Sequence, residues 1–305
     1  MVNTPSFRGV YPILATPFHD DEAPDLEALD RMVRFMQRLG VHGVTVLGVL
    51  GEANRMLDRE REAVVRTAVA ATGGELPVIV GTSHSGTQAA LGLSQMAQQL
   101  GAAAVMVTPQ AEAVPSDERV FEYYRTIAEG ISIPIVAQDH PASTAVHMGV
   151  PLLLRLLQEI PRIAALKEEA LPTAPKIRAL TGGMQRKVPV LTGLGALYGQ
   201  FDLEAGSDGF NTGFAFPEVL MGMVRAAQAG DWARVHSLYT RFLPLIVFEQ
   251  QPGVAIRKEI LRLRGLISAP RVRHPGASIQ PAVARQLREL LERVLPGVDL
   301  TQPLE

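Results

Sequence analysis

Eight short apolar runs, each with turn-forming residues at its C-terminal end, recur along the chain. They are apolar at successive positions rather than alternating with polar ones, which is typical of parallel strands buried on both faces. Their starts lie about 20 to 34 residues apart, the length of a strand, a crossover helix and two loops. The predicted strands are Gly9–Ala15, Gly43–Leu47, Pro77–Gly81, Ala103–Val107, Ile133–Ala137, Ile163–Leu166, Val188–Leu191 and Gly209–Thr212.

Segments with helical periodicity separate these runs, so the pattern predicts eight βα units and a closed (β/α)8 TIM barrel over residues 1–217. An open doubly wound sheet is the rival, but its glycine-rich dinucleotide turn is missing after the first strand. The predicted barrel helices are Leu26–Leu39, Asp58–Ala71, Thr87–Leu100, Asp117–Glu129, Pro151–Glu159 and Pro172–Leu180. A C-terminal helical region, 218–305, is predicted from Glu218–Ala229, Asp231–Val247, Val254–Leu263 and Pro281–Val294.

Composition narrows the function classes. The chain has 305 residues, is 47% hydrophobic and 20% charged, and carries a net charge of −2, so it has no field that favours nucleic acid or an anionic membrane. Cysteine is absent, which excludes disulfides, thiolate metal sites and cysteine nucleophiles. Neither a secretory signal nor a transmembrane run is recognisable, and we expect a cytoplasmic protein.

The active site of such a barrel is built at the C-terminal ends of its strands. Lys167 closes the run Ile163–Leu166, and it is one of only four lysines in the chain. Burial there disfavours the ammonium and yields a free amine that can form a Schiff base with a ketone. The alternative is a rim lysine that pairs with Glu168 or another carboxylate.

Other strand ends offer further polar groups. The glycines around Val49 and Leu50 permit a turn whose backbone N–H groups can hold a carboxylate. The alternative is that these glycines only allow the chain to turn after the strand. Strand five ends in an amide, an acid and an imidazole, of which at most two can face the substrate. The candidate catalytic residues are Lys167, Gln138, Asp139 and His140, and the candidate substrate-binding residues are Val49, Leu50, Gly51, His84 and Thr16. A metal site assembled from His84, His140 and a carboxylate stays open, without any metal-binding spacing to support it.

The order and spacing of these segments resemble the dihydrodipicolinate synthase and N-acetylneuraminate lyase family. The resemblance runs over roughly residues 5–295, from Gly9-Val10-Tyr11-Pro12 and Ala15-Thr16-Pro17-Phe18 through residues 48–52 and Pro134 to Pro141 to Lys167-Glu168. It implies a (β/α)8 barrel with a C-terminal helical domain, Lys167 as the Schiff-base lysine for a 2-oxo acid, no cofactor, and a homo-oligomer, usually a tetramer.

The chain departs from the family pattern at three places. Val49 and Leu50 replace the two threonines of the usual Gly-Thr-Thr-Gly-Glu, Gln138 replaces the proton-shuttling tyrosine of Tyr-Asn-x-Pro, and Ser143 replaces an arginine. The form Gln-Asp-x-Pro-Ala-Ser, with Arg273-His274-Pro275, is more similar to the branch that contains 2-keto-3-deoxy-L-arabonate dehydratases.

These observations favour dehydration of a 2-keto-3-deoxy sugar acid. Lys167 would attack the C2 ketone. The backbone N–H groups of Val49, Leu50 and Gly51 would bind the substrate carboxylate. The hydrogen bonds or proton transfers of the missing tyrosine would come from Gln138, Asp139 and His140, with His84 as a further candidate. The alternatives are a pyruvate-dependent aldolase, a dihydrodipicolinate synthase, a metal-dependent barrel aldolase, and a non-catalytic relative that only binds a 2-oxo acid.

Overall fold

The structure of the protein is a computed structural model, and it describes residues 5–111, 116–251 and 253–304. Its single sheet contains eight strands: β1 Gly9–Val10, β2 Val44–Val46, β3 Val78–Gly81, β4 Ala104–Val107, β5 Ile135–Asp139, β6 Ile163–Glu168, β7 Val190–Thr192 and β8 Gly209–Phe210. All neighbouring strands are parallel, and β1 pairs with β8. A parallel bridge between Ile13 and Thr45 links the continuation of β1 to β2, so the sheet closes into a barrel.

Helices connect the strands and extend beyond the barrel. The described residues form α1 Leu26–Leu39, α2 Asp58–Thr72, α3 Thr87–Gln99, α4 Asp117–Gly130, α5 Pro141–Thr144, α6 Val150–Glu159, α7 Thr173–Gly183, α8 Gly199–Glu204, α9 Pro217–Gln228, α10 Trp232–Phe248, α11 Val254–Leu263 and α12 Pro281–Val294. Each parallel crossover thus contains a helix, as parallel pairing requires. The predicted (β/α)8 barrel and the predicted helices after it are confirmed.

Helix α1 shows how the local sequence sets these boundaries. The Asp25 side chain accepts a hydrogen bond from the Ala28 N–H and caps the first turn. Gly40 ends the helix in the left-handed conformation, at a φ of 74°. Apolar residues at helical spacing then face the barrel, where Leu29, Met32, Val33 and Met36 are buried.

Two apolar layers hold the barrel together. A large one lies between the strands and the surrounding helices, and a smaller one fills the barrel interior. The interior cluster is Phe7, Tyr11, Ile79, Ala104, Met106, Val136, Ala165 and Leu191. Because this layer blocks the lower part of the barrel, a ligand can enter only above it, at the C-terminal ends of the strands.

Strands β5 and β6 each extend two residues beyond their predicted ends, at the edge of the barrel where the active site is expected. We predicted that strand six stops at Leu166, but β6 continues through Lys167 and Glu168. Strand five likewise includes Gln138 and Asp139. Both extensions exist because these polar residues stay in the parallel ladder, in which Gln138 pairs with Lys167 and Asp139 pairs with Glu168.

Two ion pairs, one buried and one partly buried, join the C-terminal region to the barrel. Lys258 of α11 reaches Glu52, which follows β2, and the Nζ to Oε1 distance is 2.5 Å. Arg273, beyond α11, pairs with Glu60 of α2 at 2.6 Å. Within the described ranges, no helix has the length and apolar character needed to cross a bilayer.

Candidate active site

Gln138 and Lys167 stand side by side on the inner face of the barrel. Each lies two residues beyond a member of the interior cluster, Val136 or Ala165, and side chains two apart on a strand share a face. Only 3% of Gln138 and 2% of Lys167 is exposed. The structure thus brings these two predicted residues together at the end of the barrel where (β/α)8 enzymes carry their chemistry.

Glu169 joins the two side chains. Its Oε2 lies 3.0 Å from the Lys167 Nζ and accepts a hydrogen bond from the Gln138 Nε2 at 2.7 Å. Its Oε1 accepts the Leu194 backbone N–H at 2.9 Å. A Cβ at Gly193 would lie 2.0 Å from this Oε1, so only glycine leaves room for the carboxylate. The lysine therefore faces a base that is fixed in place from both sides.

The surroundings of Glu169 keep it ionised. Burial by itself raises the pKa of this carboxyl, but the charge of Lys167, the charge of His140 when that ring is protonated, and the hydrogen bonds from Leu194 and Gln138 outweigh burial. The pKa of Glu169 consequently lies below its ordinary value. A buried carboxylate beside a buried amine can accept a proton from the ammonium, and this transfer is the first requirement for nucleophilic attack.

Glu169 is the functional residue that sequence reasoning did not single out. The sequence predicted that Lys167 pairs with Glu168 or another carboxylate if it is not the nucleophile, and Glu169 was not named as that carboxylate. Alternation along the strand is the signal that could have found Glu169, because positions 167 and 169 share a face and position 168 does not.

A cavity of about 400 Å³ opens above Gln138. Its polar lining includes Ser83, His84, Thr108 and Ser143, and its edge is formed by the turn at Gly48 and Val49. The Thr108 hydroxyl is buried and has no hydrogen-bond partner among the described residues. The volume lies in the range of small-molecule sites, and the unpaired hydroxyl is available to a polar ligand.

His140 lies next to Ser143, a residue of the cavity lining, and interacts electrostatically with Glu169. Its Nδ1 lies 2.6 Å from the Ser143 Oγ, at the start of the short helix α5. Burial lowers the pKa of His140, an effect that the charge of Glu169 opposes and that of Lys167 reinforces. The net direction is downward, so the imidazole is neutral near pH 7 and can donate through one nitrogen and accept through the other.

Asp139 does not join this group, which corrects one of the predicted catalytic residues. As the neighbour of Gln138 on an extended strand, it points to the outer face of the barrel. There it contacts the Lys176 Nζ from α7, which also donates to the Met148 carbonyl at 2.8 Å. Burial raises the pKa of Asp139 despite this lysine. Asp139 thus fixes a helix behind the site and has no access to the cavity.

The turn after β2 has part of the predicted geometry. Residues Val49–Gly51 form one 3-10 turn, and Val49 is 54% exposed. The Gly51 N–H is already used within the turn, since it donates to the Gly48 carbonyl at 2.9 Å. Gly51 is therefore not a carboxylate donor as predicted, and the N–H groups of Val49 and Leu50 are the remaining candidates.

Of the two other predicted binding residues, His84 lines the cavity and Thr16 does not. Thr16 is buried, and its hydroxyl donates to the Gly51 carbonyl at 2.7 Å, so it supports the turn from behind instead of contacting a ligand. His84 is an exposed residue of the cavity rim, and its Nδ1 accepts the Gly86 N–H at 2.9 Å. Among residues 5–111, 116–251 and 253–304, no three histidine or carboxylate side chains cluster in a way that could hold a metal.

Comparisons with known proteins extend over almost the whole chain. The model of the dihydrodipicolinate synthetase family matches residues 6–294. An L-2-keto-3-deoxyarabonate dehydratase from Azospirillum brasilense is 35% identical over 303 residues, which cover 97% of each chain. A 4-hydroxy-tetrahydrodipicolinate synthase from Chlorobium chlorochromatii is 30% identical over 80% of this chain and 82% of the relative. The crystal structure of a dihydrodipicolinate synthase from Rhodopseudomonas palustris superposes with a TM-score of 0.90 at 35% identity, covering 96% of this chain and 99% of that one.

Proposed function

This chain belongs to the dihydrodipicolinate synthetase family and is a lyase, and from that premise we propose that it dehydrates a 2-keto-3-deoxy sugar acid through a Schiff base on Lys167. The observation that carries the proposal is the buried Lys167, with Glu169 3.0 Å from its amine and Gln138 hydrogen-bonded to the same carboxylate oxygen. Amine, base and orienting amide are the parts that activated-lysine chemistry requires.

The proposed reaction conserves atoms and electrons. The Lys167 amine adds to the C2 carbonyl carbon, and the carbonyl oxygen leaves as water, which forms an iminium ion. The iminium acidifies C3, and removal of a C3 proton gives an enamine. The enamine electrons expel the C4 hydroxyl, which takes up a proton and leaves as water. Hydrolysis then restores the Lys167 amine and releases a 2-oxo acid that has lost one water overall.

Glu169 and His140 are the groups we assign to the proton transfers. Glu169 takes a proton from the Lys167 ammonium and returns it to the oxygen that leaves C2 as water. Ionised again and beside the amine, it then takes the proton from C3. His140, neutral and next to Ser143 of the cavity lining, relays that proton: it accepts it on one ring nitrogen as the other donates to the departing C4 hydroxyl, so the imidazole ends neutral. Gln138 does not titrate, and its role is to hold the Glu169 carboxylate in position.

The substrate carboxylate would bind at the turn after β2. Val49 lines the edge of the cavity and Leu50 follows it in the same 3-10 turn, so we assign their backbone N–H groups to the substrate carboxylate in place of the two threonine hydroxyls of the family. Paired backbone donors suffice to bind an anion, and they also fix which end of the substrate lies nearest the amine.

Two observations favour dehydration over the synthase reaction. Gln138 stands where the family carries its proton-shuttling tyrosine, and Ser143 lines the cavity where the synthases carry an arginine. The relative that is 35% identical over 97% of both chains is named a dehydratase. Other relatives at about 30% identity are named synthases, so the synthase and a pyruvate-dependent aldolase are the alternatives to be tested.

Borohydride trapping tests the Schiff base. The protein is incubated with pyruvate, and separately with a 2-keto-3-deoxypentonate, then reduced and analysed by intact mass and peptide mapping. We expect a reduced adduct on Lys167, with more complete trapping by the sugar acid. A protein that gives no mass shift with either compound has no Schiff-base chemistry, and the proposal fails.

Product analysis separates the remaining reactions. A dehydratase keeps the carbon skeleton of the sugar acid intact, whereas an aldolase releases pyruvate and an aldehyde. A synthase instead consumes pyruvate together with aspartate semialdehyde. If Lys167 is trapped but none of these substrates is turned over, the protein is a binding relative rather than an enzyme.

The remaining parts of the proposal concern partners and location. We expect a homo-oligomer, a tetramer or a dimer, that acts on a small 2-oxo acid in the cytoplasm without nucleic acid or membrane partners. Light scattering after size-exclusion chromatography measures the mass in solution against the 32.9 kDa of one chain. A mass equal to one chain contradicts the oligomer.

A further inference from the structure

Glu52 follows the candidate carboxylate-binding turn, and 1% of it is exposed. Its Oε1 lies 2.5 Å from the Lys258 Nζ. Its Oε2 accepts hydrogen bonds from the Arg55 guanidinium at 2.7 Å and from the Arg273 backbone N–H at 3.0 Å. Both carboxylate oxygens are therefore held, and two of the three partners belong to the chain beyond residue 217.

Lys258 has no access to solvent. It is 0% exposed in α11, its Nζ donates to the Arg271 carbonyl at 2.6 Å, and it lies 4.4 Å from the centre of the Phe18 ring. Burial lowers the pKa of Lys258 to about 8, although the Glu52 carboxylate opposes the shift. A lysine is rarely buried completely unless it is paired, so the contact with Glu52 keeps the ammonium in this position.

The backbone of Glu52 completes the turn itself. Its N–H donates to the Val49 carbonyl at 3.1 Å, which closes the 3-10 turn. Its φ is 56°, in the left-handed region that a glutamate seldom occupies and that costs free energy. A residue stays in such a conformation only where its surroundings enforce it, and the buried carboxylate provides that restraint.

We propose that Lys258 is a positioning residue for the substrate carboxylate: through Glu52 it holds the turn of residues 48–52 in the conformation that presents the Val49 and Leu50 N–H groups. The inference rests on the proposed function, because the turn that Lys258 holds is the proposed binding site of the substrate carboxylate. It makes the C-terminal helical region a part of substrate recognition. Lys258 touches neither the substrate nor Lys167.

Loss of the Lys258 ammonium should move the turn of residues 48–52. A buried carboxylate that loses a charged partner rearranges to recover solvation, and Glu52 can move only by changing the turn that its own N–H closes. The donors for the substrate carboxylate then shift, whereas the groups on β5 and β6 stay in place. Substrate affinity should fall while the chemical step of the bound substrate is preserved.

Lys258→Met is the variant to test, because methionine keeps the length of the side chain without its charge. With a saturable 2-keto-3-deoxypentonate, we expect KM to rise about tenfold with kcat within about twofold. Borohydride trapping with pyruvate and with pyruvamide, which lacks the carboxylate charge, supplies the second measurement. Half-saturation by pyruvate should rise about tenfold, while half-saturation by pyruvamide stays unchanged.

Arg264→Met is the matched control. Arg264 is also fully buried and ion-paired, 2.6 Å from Glu218, and its guanidinium stacks on Phe216, but it does not contact the turn. We expect a comparable loss of thermal stability with unchanged KM. If Lys258→Met does not fold, Glu52→Gln removes the same charge pair while keeping the side-chain shape, and its KM and pyruvamide readouts replace those of the first variant.

The outcomes separate this inference from the proposed function. Failure of the wild-type protein to trap either 2-oxo acid overturns the proposed function. Normal wild-type trapping, with equal effects of Lys258→Met on pyruvate and pyruvamide or with no change in KM, overturns the positioning role alone. A KM increase in Arg264→Met as large as that in Lys258→Met also overturns it, since general loosening would then explain both.

Discussion

A lysine meets carboxylates on each face of strands β5 and β6, Lys167 of β6 on the inner face and Lys176 of α7 on the outer face, and the two faces differ in charge balance and in access. On the inner face, Lys167 meets the single carboxylate of Glu169, next to Gln138, which lines the cavity. On the outer face, Lys176 of α7 meets both Asp139 and Glu168, which are fully buried and do not line the cavity. The same residue types thus form a candidate reaction centre on one side and a structural tether on the other.

The outer group, Lys176 with Asp139 and Glu168, shows how burial changes the pKa of carboxyls that outnumber their counter-charges. The Asp139 Oδ1 and the Glu168 Oε2 are buried without hydrogen-bond partners among the described residues. Burial and the neighbouring Asp139 raise the pKa of Glu168 to about 8, despite the opposing charge of Lys176. Two carboxylates that share one lysine hold a proton at neutral pH, whereas the paired Glu169 stays ionised and able to accept one.

Removing the inner amine should have the largest effect on activity. In Lys167→Met, the nucleophile is lost while an unbranched side chain of similar length is kept, and we expect kcat to fall on the order of 10⁴-fold or more. Borohydride adducts with pyruvate should disappear from the intact-mass spectrum. Lys187→Met is the control, since Lys187 lies at the surface and only donates to the Thr181 carbonyl. Adduct formation that survives in Lys167→Met would place the Schiff base elsewhere.

The inner carboxylate should matter next. Glu169→Gln keeps the shape but can no longer accept a proton, so we expect kcat to fall about 100-fold, which is typical for loss of a general base. The acidic limb of the pH profile of kcat should disappear together with the carboxylate. Glu168→Gln is the matched control one position away, and its kcat should stay within about twofold. Equal losses in the two variants would contradict the assignment of chemistry to the inner face.

Sequence patterns predicted the barrel but did not determine which face each strand-end residue occupies. The eight strands were recognisable because apolar runs recur at βα spacing, and this signal does not depend on tertiary detail. The end of β6 was predicted two residues too early, because Lys167 and Glu168 are polar and look like a loop. Their pairing with Gln138 and Asp139 depends on the register between strands, which the sequence does not encode locally.

Only part of the candidate site was predicted from the sequence. Lys167 was found because it is a scarce lysine at the end of an apolar run, and Gln138 because it is a polar residue at the end of strand five. Asp139 was misassigned, since alternation along the strand turns it toward Lys176. Glu169 was missed because its orientation depends on the space left by Gly193 and on the Leu194 N–H, about 25 residues further along the chain. Contacts of this kind need the fold before they can be recognised.

Breaking the outer group should reduce stability more than catalysis. Lys176→Met leaves Asp139 and Glu168 buried without a counter-charge and removes the hydrogen bond to the Met148 carbonyl. We expect the free energy of unfolding at pH 7 to fall by about 3 kcal/mol, as for other broken buried ion pairs. The deficit should shrink at lower pH as the carboxylates take up protons. Urea titrations of wild type and variant at pH 5 and pH 8 measure both effects, and a deficit independent of pH would contradict the electrostatic cause.

The smallest effect is expected from Glu168→Gln, and its sign depends on pH. The pKa of Glu168 is raised to about 8 in the folded protein, from 4.5 when it is exposed. Between these values the folded state binds the proton that the unfolded state has released, so the free energy of unfolding of the wild type falls as pH rises. Above pH 8 the carboxylate is charged in both states and the penalty is complete. Glu168→Gln removes this dependence because its amide does not titrate. The variant should therefore gain stability relative to wild type as pH increases from 5 to 8. Urea titrations across that range give the difference, and a gain that is absent or reversed would show that Glu168 is already ionised beside Lys176 at neutral pH.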